Sequence, residues 1–329
     1  MVCDVDVGVD FGFGFDCKFF LKTIWEKVAL AFGAAPPPPK ALVYVLRWWD
    51  FHCEKRGCAV MRILFIGDIF GNVGRRILAE RLSSIVEEYC IDVCIGNGEN
   101  VSGGRGMTKN LFRKLRKYGL NVITGGNHSF SVDDKDYSFM NEPIVLRPLN
   151  YPPSNLGHGT TVFTLEDGRK IGVLNLMGRT FMHESLDCPF RMGLEAVNNL
   201  KKETPVVLVD IHAEASSEKA AFAYYVDGLA SVVIGTHTHV QTADERILPK
   251  GTAFITDAGM TGPESSVIGM KPDGVIKKYL LQTYVRFEPS EDGAMLNGVI
   301  IEVDDKSGKA LSISRLFERI IFQNQNPID

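Results

Sequence analysis

Five places in the 329-residue chain set carboxylates, carboxamides or imidazoles in tight clusters. They are Gly67-Asp68, Gly96-Asn97-Gly98-Glu99-Asn100, Gly125-Gly126-Asn127-His128, His212, and His237-Thr238-His239. Mixed imidazole and oxygen donors suit Zn, Mn, Fe or Ni. A carboxylate such as Glu99 can bridge two cations through its two oxygens. His237 and His239 are two apart, so they share a face if they lie in a strand; in a turn they can point to adjacent ions. No Cys joins the clusters, which argues against a closed structural zinc site. Two ions about 3.5–4 Å apart are the standard device for in-line displacement at phosphorus. The flanking glycines let the backbone turn sharply and approach a ligand.

The elements between the clusters explain how they meet. MRILFIGDIFG, from Met61, reads as a buried parallel strand ending in a polar turn at Asp68. Arg75 to Tyr89 has helical spacing of apolar residues. Ile91 to Ile95 reads as a second strand, leading to Glu99 and Asn100. Thr108 can cap a helix that runs to Tyr118 and stops at Gly119. Asn121 to Thr124 reads as a third strand, leading to Asn127 and His128. Asp167-Gly168 predicts a hairpin between Thr160–Leu165 and Lys170–Leu176. Val206 to Ile211 and Ser231 to Gly235 are further apolar strands, followed by His212 and His237. Ser216 is placed to cap a helix over Ser217–Tyr225, with Glu218 in its first turn. Leu281–Phe287 and Leu296–Val303 read as closing strands. The pattern is α/β, with mixed sheets and helices outside. In such sheets the functional crevice lies at the carboxyl ends of the strands, which is where all five clusters fall.

The strings GDIFG, NGENVSGG, GGNH, DIHAEASSEK, GTHTHVQTAD and GMTGPESSVIGM resemble one branch of the calcineurin-like metallophosphoesterases, the YmdB-type 2',3'-cyclic-nucleotide 2'-phosphodiesterases. The resemblance runs from about Met61 to Arg319. It implies two packed mixed β-sheets flanked by helices (α/β/β/α). It implies that Asp68, Glu99, Asn100 and His239 hold one metal, and that Glu99, Asn127, His212 and His237 hold the second, with His128 as proton donor. It implies iron as the metal, with Mn or Zn as alternatives. The implied reaction is attack by metal-activated hydroxide on a cyclic phosphate, giving 3'-nucleotides. The wider superfamily has Asp-x-His where this chain has Phe70, and Asn100 stands in for that missing ligand. The branch usually follows GNH with a Thr-Trp-Asp-like string, here Ser129-Phe130-Ser131, and Arg105 replaces a commonly apolar residue.

Other readings weigh against these. A broader phosphodiesterase, acting on 3',5'-cyclic nucleotides or RNA 2',3'-cyclic ends, uses the same ligands. A metal-containing regulatory or nucleotide-sensing protein would keep the fold without turnover, but the complete ligand set argues for an enzyme. Val240-Gln241-Thr242 after the His-x-His pair disfavours a metallo-β-lactamase-type site. Singly, each residue has a plain structural use: Asp68 as a cap, Asn100 and Asn127 in loops, His212 in a core. Glu214 reads as a loop carboxylate ahead of its alternative, orienting His212. His52, His158 and His183 match no cluster. Cys90 and Cys94 read as buried small hydrophobes. Lys109, Arg113, Lys114, Arg116 and Lys117 read as the solvated face of one helix.

Composition bounds the rest. A net charge of -4 argues against a general nucleic-acid binder. Seven irregularly spaced Cys exclude a disulfide framework and favour a reducing cytoplasm. No run of eighteen apolar residues suggests a membrane span, and a homo-oligomer stays open. Residues 1–60 hold all three Trp and four of the seven Cys, with the PPPP run at 36–39. They read as an N-terminal extension, poorly ordered or a start-site artefact, ahead of a catalytic domain at 61–329.

Overall fold

The computed structural model describes residues 60–132 and 136–322. The expectations for residues 1–59, including the reading of an extension and of His52, lie outside the described residues. Three sheets organise the remainder. The first is five-stranded, in the order β13-β12-β1-β3-β4. Its members are β1 (Val60–Ile66), β3 (Val93–Asn97), β4 (Val122–Thr124), β12 (Met295–Asp304) and β13 (Ala310–Arg319). The second is six-stranded, in the order β5-β6-β7-β8-β10-β9. It contains β5 (Thr160–Thr164), β6 (Lys170–Met177), β7 (Val207–His212), β8 (Val232–Thr236), β9 (Arg246–Ile247) and β10 (Ala253–Ile255). The third pairs β2 (Asp68–Ile69) with β11 (Met260–Thr261). Both large sheets are mixed: β1, β3 and β4 run parallel, as do β6, β7, β8 and β10, while β12, β13, β5 and β9 are antiparallel.

The period of two along each strand divides the core into three layers. Leu64 and Ile66 of β1 face α1 (Gly71–Glu88) and α2 (Lys109–Tyr118). Met61, Ile63 and Phe65 of the same strand face the second sheet, against Ile171, Val173, Leu208, Val232 and Ile234. The other face of that sheet, with Val207, Val209, Ile211 and Val233, packs on α3 (Pro189–Leu200) and α4 (Ser216–Tyr225). The result is the expected α/β/β/α arrangement. Each fully buried Ile, Leu or Phe in these layers contributes about 1.5–3 kcal/mol. Among the described residues, no helix is long and apolar enough to cross a membrane.

Several local expectations change. Helix α1 starts at Gly71, four residues before Arg75, because the Phe70 carbonyl accepts from Gly74 N–H and opens the helix early. Helix α2 keeps its predicted ends: the Thr108 hydroxyl accepts from Leu111 N–H, and Gly119 takes the left-handed cap at φ 117°. Its basic face is not wholly solvated, since Arg116 donates to the carbonyls of Leu120 and Asn121. Helix α4 begins at Ser216 with Ala215 as its cap, so the Ser216 hydroxyl does not cap it. Leu281 ends α5 (Pro272–Leu281), and no strand follows over 282–287. Pro272 is pre-set for the first helical turn, and Gln282 closes it in the left-handed conformation at φ 53°. Strands β3, β7 and β8 each extend one or two residues further than their apolar runs, so Asn97, His212 and Thr236 are strand residues. Cys94 is buried, but Cys90, just after α1, is half-buried.

Candidate metal centre

The parallel strands of both sheets end at one edge, and the clusters meet there. Glu99, His212 and His237 present ligand atoms within 4.8 Å of one another. Glu99 Oε1 lies 3.1 Å from His212 Nε2. The same Nε2 lies 2.9 Å from Asn127 Oδ1 and 3.0 Å from His237 Nδ1. Four donor atoms thus face a common point. Asp68 Oδ1 is 3.9 Å from His239 Nε2 and 3.9 Å from His212 Nδ1. Asp68 Oδ1 and Asn100 Oδ1 are both buried without a hydrogen-bond partner. Such an oxygen costs about 1–3 kcal/mol unless something positive meets it. Gly126 makes room: a Cβ there would stand 2.2 Å from Glu99 Oε2 and 2.5 Å from His212 Nε2. The donor set, its orphaned oxygens and this cleared space fit a pair of cations.

Electrostatics sharpens the fit. Burial pushes Asp68 well above the usual carboxylate range, and the neighbouring Asp257 and Glu99 push it further. Burial raises Glu99 as well, against the pull of His128. Burial drives His212 well below its ordinary value and lowers His239; His237 is pulled down to about 3 by burial and by His212. Neutral imidazoles are the form that binds metal, and crowded carboxylates are stabilised by added positive charge.

Each histidine has an outer partner for its second nitrogen. His239 Nδ1 lies 3.0 Å from the Ile268 carbonyl, a contact that requires Nδ1–H and frees Nε2. His212 Nδ1 lies 2.9 Å from Thr236 Oγ1. His237 Nε2 lies 3.2 Å from Glu214 Oε2. Glu214 is an exposed loop carboxylate, as expected, and the ring it meets is that of His237, not His212. Phe70 packs edge-on against the His239 ring at 5.8 Å. His128 is half-buried at the rim; its backbone N–H donates to Glu99 Oε2 at 2.9 Å, and Nδ1 is 3.3 Å from Ser131 Oγ. Burial lowers its pKa, Glu99 opposes the shift, and the exposed Arg105 adds to it. His158 and His183 are exposed and lie outside the cluster.

Several features of this edge carry no local sequence signal. His237 and His239 both have positive φ, 97° and 65°, a strain of about 1–3 kcal/mol for each. The turn is held from below. Asp257 Oδ2 accepts from Thr238 N–H at 3.1 Å and from the Thr238 hydroxyl at 2.8 Å. The fully buried Lys219 ammonium donates to Asp257 Oδ2 and to the Thr236 carbonyl, both at 2.7 Å. Glu218, expected only to favour the start of α4, accepts from the backbone N–H groups of Arg179 and Thr180. A lone Asp in the apolar run VLVDIH was the one visible hint of Asp210, which lies fully buried between the sheets.

Comparison with known proteins gives the family of the chain. The YmdB-like protein family matches residues 64–316. The 2',3'-cyclic-nucleotide 2'-phosphodiesterase of Bacillus subtilis (strain 168) is 44% identical over 258 residues, covering 78% of this chain and 96% of the relative. A putative phosphatase/phosphodiesterase of Mycoplasma pneumoniae is 38% identical, covering 76% of this chain and 90% of the relative. Two crystal structures align closely. A hypothetical protein from Thermus thermophilus has a TM-score of 0.71 at 38% identity, covering 79% of this chain and 99% of its own. A novel phosphatase from Mycoplasma pneumoniae has a TM-score of 0.75 at 36% identity, covering 79% and 94%.

Proposed function

The chain belongs to the YmdB-like family and is a phosphodiesterase of the metallophosphoesterase fold; on that premise we propose that it opens 2',3'-cyclic nucleotides to 3'-nucleotides at a two-metal centre. The observation that carries the reading is the pair of partnerless buried oxygens, on Asp68 and Asn100, beside the Glu99–His212–His237 cluster. Asp68, Asn100 and His239 would hold one ion, Asn127, His212 and His237 the other, with Glu99 shared between them. Bound there, the two cations supply charge neutralisation at phosphorus and a water nucleophile at neutral pH. Iron is the metal favoured by the family resemblance; Mn and Zn fit the same donors.

The chain's own groups do the remaining work. The Glu99 carboxylate fixes His128 through its backbone N–H, so the ring stays at the rim of the cluster. Ser131 beside Nδ1 steadies its rotation. In the proposed reaction a water that has released one proton to solvent bonds through its oxygen to phosphorus as the P–O2' bond breaks; the His128 imidazolium gives its proton to the departing 2' oxygen and then regains one from solvent. An incoming phosphate anion raises the imidazole pKa, offsetting the depression by burial. Arg105, exposed nearby, is placed to attract that anion.

The test uses the full chain. Bound metals are measured, and 2',3'- and 3',5'-cyclic nucleotides are assayed side by side. Preferential turnover of the 2',3' substrates, with the 3'-nucleotide as product, supports the reading. A preference for 3',5' substrates, or tight nucleotide binding without turnover, overturns it. His128→Ala is expected to keep the metal content while lowering kcat by roughly 10²–10⁴. Unchanged kcat removes His128 as the proton donor.

A further inference from the structure

Beneath the candidate ligands, both sheets end in polar side chains that point into the layer between them. Along β3, Val93 and Ile95 face that layer, so Asn97 does too; by the same alternation Thr124 follows Val122, Asp210 follows Leu208, and Thr236 follows Ile234. The four meet on one carboxylate. Asp210 Oδ2 accepts from the Thr124 hydroxyl at 2.5 Å and from the Asn97 amide at 3.2 Å. Asp210 Oδ1 accepts from the Thr236 hydroxyl at 2.7 Å. Asn97 and Thr124 belong to the five-stranded sheet, Asp210 and Thr236 to the six-stranded one. All four are buried.

Counting protons gives this cluster a consequence. A threonine hydroxyl has one hydrogen, and with the Asp210 carboxyl ionised that of Thr236 is committed to its Oδ1. Toward His212 Nδ1, 2.9 Å away, Thr236 can then only accept. Nδ1 must carry the proton, and Nε2 is left with its lone pair facing Glu99, Asn127 and His237. We infer that Asp210 is a positioning residue: through the Thr236 hydroxyl it holds His212 in the Nδ1–H form and presents Nε2 to the metal. The inference rests on His212 being a ligand, as proposed above. Partners of this outer kind fix both the tautomer and the ring orientation of a ligating histidine. Among the described residues the Asp210 carboxylate takes its hydrogen bonds from Asn97, Thr124 and Thr236, none of them a proposed ligand, and it ties the two sheets together at those strand ends.

The experiment labels the histidines of the full chain with 15N, strips metal with a chelator, and reads ring nitrogen shifts at about pH 8.5, well above the ordinary carboxylate range. His212 is assigned by the signal lost in His212→Gln. The expected result is a protonated Nδ1 and an unprotonated Nε2. Thr236→Val should remove that preference and weaken Mn²⁺ binding by about 10–100-fold, while Thr236→Ser should restore both. Asp210→Asn should mimic Thr236→Val in the His212 shifts. The Nε2–H tautomer in the unmodified protein overturns the inference, as does undiminished Mn²⁺ affinity in a folded Thr236→Val. Where variants fail to fold, the tautomer of the unmodified protein decides. Mn²⁺ titration of that protein separates the two claims: a fixed Nδ1–H tautomer without any Mn²⁺-induced change at His212 leaves the hydrogen-bond relay standing and refutes the ligand assignment.

Discussion

Two aspartates lie behind the candidate metal ligands, and they are satisfied in opposite ways. Asp257 meets a full positive charge, the Lys219 ammonium, and grips the loop that carries His237 and His239. Asp210 meets only neutral donors, two hydroxyls and an amide, and grips strand ends. Burial accordingly pushes Asp210 up to about 7, although three donors pull the other way. The difference follows what each must hold. A strained turn with two left-handed histidines has little regular hydrogen bonding of its own, so a strong ion pair stabilises it. Strand ends are already placed by their ladders and need orientation more than strength.

Breaking the ion pair should have the largest effect. Lys219→Met leaves Asp257 buried and uncompensated, at a cost of about 3–5 kcal/mol in urea unfolding. Lys219→Met with Asp257→Asn should recover part of that loss, because no unpaired charge remains. A single-variant cost under about 1 kcal/mol would erase the contrast with Asp210. Metal comes next. Ions that bind only the folded chain stabilise it by mass action, about 2.7 kcal/mol at a hundred times Kd. The unmodified metal-free protein should therefore gain that much with Mn²⁺, and Asp68→Ala should lose most of the gain in a thermal melt. Asp210→Asn removes one acceptor from a hydrogen-bonded cluster, so its expected cost is smaller, about 1–3 kcal/mol.

The smallest effect belongs to a carboxylate nearer the solvent. Asp244 accepts from Thr242, from the Thr256 N–H and hydroxyl, and from Arg246. Burial works to raise its pKa, but the hydrogen bonds from Thr256 and Thr242 win and hold it below the usual range. Its stabilisation is thus present above the ordinary Asp pKa and lost as pH falls through the lower folded value. Asp244→Asn should cost under about 1 kcal/mol near neutrality, given solvent screening, and the two proteins should converge in stability once the pH has fallen through that lowered value. Equal stability of the two at neutral pH would show that these contacts contribute nothing.

Much of this was legible in the residues. The parallel strands, the capped helix over Lys109–Tyr118 and the Asp167-Gly168 hairpin followed from apolar period, a Thr cap and turn chemistry. That Asp68, Glu99, Asn127, His212, His237 and His239 lie close together was expected from their place after apolar runs. The expectations that failed were those where local sequence is ambiguous. Leu281–Phe287 has strand-like composition, but Pro272 and the left-handed Gln282 enclose a helix up to Leu281. Ser216 has the chemistry of a cap without the position, because the turn after His212 places Ala215 there.

By itself, then, the sequence determined which side chains are delivered to the sheet edge, because strand period and chain polarity are local properties. The tertiary structure alone decided what stands behind them. Lys219 reaches Asp257 across 38 positions, and Thr124 reaches Asp210 across 86. No local pattern encodes such partners. They are selected by tertiary packing, of α4 on the second sheet for the first pair and of the two sheets face to face for the second, which buries polar groups so far from water that each must find its hydrogen bond within the protein.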